Sequence, residues 1–291
     1  MSSSSAPILI LGGTGTVGSR IASQLSSQGF TPIIASRSNG SSDRQPNSVK
    51  FDWLDSTTWS EPFSRAPKSV YLIGPPSLEG DKPMIEFIDY ARSRGATRFV
   101  LQSASSIEAG GPTMGKVHAY LRELGQRGEV EWAVLRPTWF QNNFSEHGHH
   151  VRSIRDESKI YSATGDGKIP WVSADDIAAV AVRALTSEDP PNTEYLVLGP
   201  ELLSYGEIAE ILSEVLGRKI VHVDMSATEL QQRHRDFGMP EEWARMLSAM
   251  DTSIKFGAEN RTNDVVFSVT GAAPRRFKDY AQSVRDVWVK P

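Results

Sequence analysis

Gly13-Thr14-Gly15-Thr16-Val17-Gly18, with Gly12 in front, separates the apolar run PILIL (7–11) from a stretch with helical spacing, TVGSRIASQLSSQG (16–29). Between a strand and a helix, glycines at this spacing permit a tight turn and let backbone approach a pyrophosphate. The helix N-terminus behind them offers N–H groups and the positive end of its dipole. Residues Gly12, Gly13, Thr14, Gly15, Thr16, Val17 and Gly18 are therefore expected to bind a dinucleotide. Its identity follows from an absence, because no acidic residue lies between Gly18 and Asp43. The second strand runs instead into Ser36-Arg37-Ser38-Asn39, where a guanidinium can fork onto a 2′-phosphate. NADP(H) is favoured over NAD(H), with Ser36 and Arg37 as its contacts.

Further candidates fall at the ends of apolar runs, where open parallel sheets bind ligands. Asp52 and Trp53 follow the third run, and Trp53 is placed to stack on adenine or to be a half-exposed structural Trp. Pro75 and Ser103 end the fourth and fifth runs, and Pro137 and Thr138 end the sixth. These are expected beside the cofactor. A Lys without a Tyr before it, Lys116, stands in GGPTMGKVHAYL (110–121).

Lys116 raises a chemical question. Short-chain reductases place Tyr-x-x-x-Lys in this region, yet none of the seven tyrosines has a Lys four residues on. Reducing a carbonyl makes an alkoxide that needs a nearby acid. Hydride delivered to an iminium neutralises the cation and leaves an amine, with no proton required. The absence permits iminium chemistry without demanding it, since another Tyr or a water can serve as acid. A carboxylate gripping the cation would stabilise substrate more than transition state, whereas aromatic faces contribute only about 0.5–2 kcal/mol. Trp139, Phe140, Phe144, Tyr161 and Trp171 supply such faces and are expected to bind substrate, together with Met114, His118 and Asp166. His118 equally suits a helix face, and Asp166 an Asp-Gly turn. Glu146-His147-Gly148-His149-His150 lacks metal-ligand spacing and reads as a solvated or substrate-rim loop, so no metal is expected.

These residues need a scaffold. Strands are predicted at 7–11, 31–36, 48–51, 69–74, 97–103 and 130–137, with helices at 16–29 and 81–95. The second half adds a helix at 173–187, strands at 194–199 and 219–224, and helices at 204–217, 226–237, 240–256 and 274–288. Alternation predicts an α/β fold, a Rossmann-type doubly wound parallel sheet with a smaller, mostly helical substrate-binding region. The nucleotide domain is expected over 1–150, rejoined by 171–199, with 151–291 mostly the substrate cap.

GGTGTVGSRIA, ASRS, FDWLD (51–55), SASSIEAGGPTMGKVH (103–118), LRPTWFQNNFS (135–145), YSATGDGKIPWVSADDIA (161–178), LGRKI (216–220) and AMDTSIKFG (249–257) carry a family resemblance across nearly the whole chain. The chain resembles the NmrA-like atypical short-chain reductases, and among them the festuclavine and agroclavine dehydrogenases of fungal ergot alkaloid biosynthesis. MSSSSAP and much of 226–247 match less clearly. The resemblance implies NADPH-dependent reduction of a cyclic iminium, formed from chanoclavine-I aldehyde, to a clavine. It implies coupling to an old-yellow-enzyme-type flavoenzyme acting upstream. It also implies a cofactor-orienting role for Lys116 near the nicotinamide ribose, and this family too lacks the Tyr-Lys pair.

Composition bounds the alternatives. Of 291 residues, 31 are Lys or Arg and 35 Asp or Glu, a net charge of −4 that gives no reason to expect nucleic-acid or anionic-membrane binding. There is no Cys, which excludes disulfides, thiolate metal sites and Cys nucleophiles. Neither a signal peptide nor a membrane span is read, and a cytoplasmic enzyme is expected. An NADP-sensing regulator without turnover and a quinone or enone reductase stand as alternatives. The aromatic cluster favours an enzyme.

Overall fold

The computed structural model describes residues 6–37, 47–75, 77 and 79–290. Ser38 and Asn39 of the expected phosphate loop lie outside the described residues. In chain order the first elements are β1 (Ile8–Leu11), α1 (Thr16–Ser27), β2 (Pro32–Ser36), β3 (Ser48–Lys50), β4 (Ser69–Ile73), α2 (Asp81–Ser93), β5 (Arg98–Gln102), α3 (Met114–Gln126) and β6 (Glu131–Pro137). Then come α4 (Asn143–Glu146), α5 (Gly148–Arg152), β7 (Lys159–Ser162), α6 (Ala174–Thr186), β8 (Thr193–Val197), α7 (Tyr205–Leu216), β9 (Val221–Asp224), α8 (Ala227–Asp236), α9 (Glu241–Lys255), α10 (Val265–Thr270) and α11 (Phe277–Ser283).

The chain divides into two units. The first holds 1–137, 174–197 and 265–272, and the second holds 138–173, 198–264 and 273–291. The division falls at the end of β6, whereas the sequence placed it near 150. Residues 265–272, expected in the cap, belong to the first unit, where α10 packs on α6.

In the first unit seven parallel strands run in the order β3-β2-β1-β4-β5-β6-β8. Order reverses between β1 and β4, the topological switch at which open α/β sheets bind ligands. Strands buried on both faces read as continuous apolar runs, and β1 (ILIL) is buried at every position. The helices show the expected stripe: α1 buries Val17, Ile21, Ala22 and Leu25, and α2 buries Met84, Phe87, Ile88 and Ala91. Each such Leu, Ile or Phe stabilises the unit by about 1.5–3 kcal/mol. Helix α1 stops at Ser27 because Gly29 takes φ +82°, while the Phe30 N–H turns back to the Leu25 carbonyl at 3.0 Å.

The second unit has its own core of Phe144, Ile154, Ile160, Trp171, Tyr205, Leu212, Phe277, Tyr280 and Trp288, among others. Its small sheet pairs β7 with β9 in parallel. The sequence indicated the partner strand at 219–224 but not β7. Helix α7 begins with a complete capping box, Ser204 and Glu207, and ends at the left-handed Gly217. The helix expected over 274–288 is α11 followed by a separate 3₁₀ turn, Arg285–Trp288. That break lets Trp288 bury and donate its indole N–H to the Phe144 carbonyl at 2.9 Å. Among the described residues, no helix is long and apolar enough to cross a membrane.

Candidate active site

The glycine-rich turn sits at the topological switch. Gly12 has φ +64°, and a Cβ placed on it would lie 2.6 Å from Cγ2 of Ile73 on β4. A Cβ on Gly18 would lie 2.3 Å from the Gly12 carbonyl oxygen, so only glycine lets α1 close onto the turn. The Gly13 N–H reaches the Ala35 carbonyl at 3.0 Å and the Gly15 N–H reaches the Gly12 carbonyl at 2.9 Å, which fixes the turn's shape. Gly15 is the N-cap of α1. No side chain caps that end, and its first turn carries no acid. An uncapped, acid-free helix N-terminus behind a glycine cradle suits a pyrophosphate.

Other expected cofactor residues of the first unit gather at the carboxyl ends of the strands. Ser36 ends β2 and Arg37 follows it, exposed, in a bend. Asp52 Oδ1 accepts from the Leu54 N–H at 2.9 Å, closing the turn after β3. Trp53 donates its indole N–H to the Ile73 carbonyl at 3.2 Å and packs edge-on against Phe51 and Phe87, so it braces the ends of β3 and β4. Pro75 lies just past β4. Pro137 ends β6 and accepts from the Ser105 N–H at 2.8 Å. The Ser103 hydroxyl, past β5, is buried with no hydrogen-bond partner in the structure. A buried orphan hydroxyl costs free energy unless a ligand satisfies it. The cradle, the open helix end and this hydroxyl together fit a dinucleotide.

Lys116 lies in the first turn of α3, and its Nζ is 2.9 Å from Asp81 Oδ2 at the start of α2. That hydrogen bond holds the Asp81 carboxyl below the usual carboxylate range. Neighbouring Met114 packs over Gly74, where a Cβ would meet its Cε at 2.3 Å. One turn beyond Lys116 stands Tyr120, a Tyr-Lys pair in reversed order. Its hydroxyl donates to Asp89 Oδ1 at 2.6 Å, and burial together with that carboxylate raises its pKa to about 12. Tyr71, the tyrosine buried within β4, donates to Gln102 Oε1 at 2.5 Å, and burial pushes its hydroxyl up as well. Neither phenol is poised as an acid near Lys116. His118 is 1 % exposed, packed against Trp132 with Nδ1 unpartnered, and burial lowers its pKa. It occupies the helix-core face rather than an open surface.

Sequence reasoning missed the residue that shapes the loop before α3. Buried Arg136 on β6 bonds to Glu108 and Glu194, and its Nη2 donates to the Ser105 carbonyl at 2.9 Å. A charge in a strand read otherwise as apolar was the available signal.

Seven expected residues belong to the second unit. Thr138 is buried and donates to Glu259 Oε2 at 3.2 Å. Trp139 and Phe140 are half-buried; Trp139 meets Trp171 edge-on at 6.5 Å, and Phe140 bridges to Val172. Phe144 and Trp171, expected to face a ligand, are 0 % and 1 % exposed inside the core, where Trp171 donates to the Leu203 carbonyl at 3.0 Å. Aromatic residues spread over 139–171 cannot all place their rings at a surface when the core beneath needs filling. Tyr161 already carries the Arg233 guanidinium 3.6 Å above its ring and donates to Glu157 at 2.5 Å. Asp166 is exposed in a turn. The rings of His149 and His150 lie 4.2 Å apart, tilted by 41°, beside His234, and burial lowers His149 to about 4. The cavity they line is only about 20 Å³, and no group of the described residues is arranged to hold a metal ion.

The first unit is thus a dinucleotide-binding sheet with its cradle at the switch point. The NAD(P)H-binding family matches residues 12–188 and the NmrA-like family residues 115–280. The chain belongs to the NmrA-like family of NAD(P)H-binding oxidoreductases. It is 47 % identical over 289 residues to festuclavine synthase II of Penicillium roqueforti, covering 97 % of this chain and 99 % of that one. It is 43 % identical over 292 residues to agroclavine dehydrogenase of Claviceps fusiformis, covering 97 % and 98 %. The triphenylmethane reductase of Citrobacter sp., solved with NADP(H), shares the fold at a TM-score of 0.77 and 20 % identity, over 96 % of this chain and 99 % of that one.

Proposed function

We propose that the protein reduces a cyclic iminium, formed from chanoclavine-I aldehyde, to a clavine alkaloid with NADPH. The observation that carries this reading is the chemistry around Lys116, where Tyr120, one turn further along α3, is committed to Asp89. An acceptor that neutralises itself on receiving hydride suits a site whose phenol next to the Lys is already engaged. Relatives bearing festuclavine and agroclavine names support the substrate class.

When bound, the cofactor supplies the hydride. The chain's residues bind, orient and exclude. The Gly12–Gly18 turn would hold the pyrophosphate, Arg37 the 2′-phosphate, and the Ser103 hydroxyl and Lys116 the nicotinamide end. Trp139 and Phe140 offer the half-exposed aromatic faces that attract a cation without a tight grip. Hydride adds to the iminium carbon as the C=N π pair withdraws onto nitrogen, so the product is a neutral amine. An upstream flavoenzyme of the old-yellow-enzyme type supplies the precursor in this reading.

The protein incubated with NADPH and chanoclavine-I aldehyde, with glutathione or such a flavoenzyme to promote cyclisation, is expected to consume NADPH and form festuclavine or agroclavine. NADPH left unconsumed with no clavine formed would refute the reading. Turnover of quinones instead would favour a quinone reductase, and tight NADPH binding with no turnover of either class a sensor.

A further inference from the structure

The Lys116–Asp81 pair is unequal in its exposure. The Asp81 side chain is 9 % exposed and that of Lys116 57 %, so a reaching ammonium folds back onto a buried carboxylate. Asp81 is the first residue of α2, where the helix dipole favours a negative charge. Both ends are tied to the end of β4. A Cβ on Gly80, the residue before Asp81, would meet the Pro75 ring at 2.9 Å, and Met114 covers Gly74. Asp81 is the one ionic partner of Lys116 among the described residues.

We propose that Asp81 is a positioning residue and counter-ion for Lys116, cancelling its charge so that a cationic substrate reaches the nicotinamide end unopposed. The inference rests on the iminium reading above and on Lys116 lying at that end. A bare ammonium there would repel an incoming iminium, while an unpaired carboxylate would hold it too firmly for turnover. The neutral pair does neither. The same contact restricts the Lys116 side chain to one direction, so its N–H groups are presented in a fixed place.

The test uses the full chain with NADPH bound, and reads the charge near the nicotinamide by quenching of its fluorescence with iodide, an anion, and with neutral acrylamide. Asp81→Asn is expected to raise the iodide quenching constant about threefold at low ionic strength and to leave acrylamide unchanged. Lys116→Gln is expected to lower iodide quenching. The gain in Asp81→Asn should vanish in the double variant and in 0.5 M salt. Iodide quenching unchanged in Asp81→Asn, or moving the same way in both single variants, would overturn the proposal, since loss of structure alone would shift iodide and acrylamide together. If Asp81→Asn fails to fold, Lys116→Gln decides by the sign of its shift. With the iminium as substrate, Asp81→Asn should raise KM on the order of tenfold with kcat within about threefold. Iodide behaving as expected while no iminium is reduced would sink the functional reading and leave the counter-ion role standing.

Discussion

Replacing Gly18 by Ala puts a methyl group 2.3 Å from the Gly12 carbonyl oxygen, 2.9 Å from its carbon and 3.0 Å from Gly13 Cα. All three are backbone atoms, so no side chain can swing aside. The shortest contact falls about 1 Å below ordinary van der Waals distance. Relief requires α1 to back away from the turn, and overpacking of this kind costs about 1–3 kcal/mol. Alanine returns roughly 0.8–1 kcal/mol through its helix propensity, so the loss in stability is modest. Cofactor binding is more exposed to the change, because a turn displaced by an ångström must be drawn back for the phosphate. At ~1.4 kcal/mol per factor of ten, NADPH affinity should fall about tenfold or more. Gly15→Ala separates the two effects. Its Cβ meets only the Gly12 oxygen, at 3.2 Å, so the unfolding midpoint should fall less than in Gly18→Ala while affinity still drops. NADPH fluorescence titration beside thermal unfolding of both variants gives the answer. A wild-type Kd in Gly18→Ala would refute the argument that this close approach shapes the cradle.

Arg37→Ala should weaken NADPH by roughly tenfold to a hundredfold, the loss of a charged hydrogen bond worth about 1.5–3 kcal/mol, and leave NADH nearly unchanged; equal losses in two parallel titrations would remove the 2′-phosphate assignment. Trp139→Ala should raise KM for the iminium about 3- to 30-fold through a lost cation–π contact of about 0.5–2 kcal/mol, with Tyr161→Phe close to wild type because Arg233 already covers that ring; the reverse order in steady-state kinetics would misplace the aromatic face. Asp251, 5 % exposed on α9, accepts from the Ala163 N–H at 2.9 Å, and burial raises its pKa from 3.8 to about 6. Its folded pKa exceeds its unfolded one, so its contribution is fully present below about pH 4 and lost as pH rises through about 6. The charged form therefore costs roughly 3 kcal/mol at pH 7 and above, and Asp251→Asn should raise the unfolding midpoint there by several degrees but not at pH 4. An equal effect at both pH values would contradict it.

The sheet was legible because strands buried on both faces are written as unbroken apolar runs, and the cradle because glycine alone meets its close contacts. Long-range pairings were not. β7 is four residues that find their partner about sixty positions later, so KIYS carries no pattern of its own. The helix bearing Lys116 was implied but not delimited, since GGPT before it reads as loop and its N-cap Thr113 has φ +48°, a value sequence does not advertise. Aromatic residues were rightly seen as clustered, yet Phe144 and Trp171 fill the core where Trp139 and Phe140 stay half-exposed. Which ring turns inward depends on Tyr205, Phe277 and Trp288, all distant in the chain. The partner of Lys116 was hidden for the same reason, thirty-five residues upstream on another helix.

Hydride transfer to an iminium needs no proton from the protein. Single-turnover reduction of the cyclic iminium with 4-deuterated NADPH, run in H₂O and in D₂O, measures this directly. Deuterium is expected at the former C=N carbon, with a primary isotope effect from the labelled cofactor and the same rate in both solvents. A slower step in D₂O with an acid limb in the pH–rate profile would contradict it.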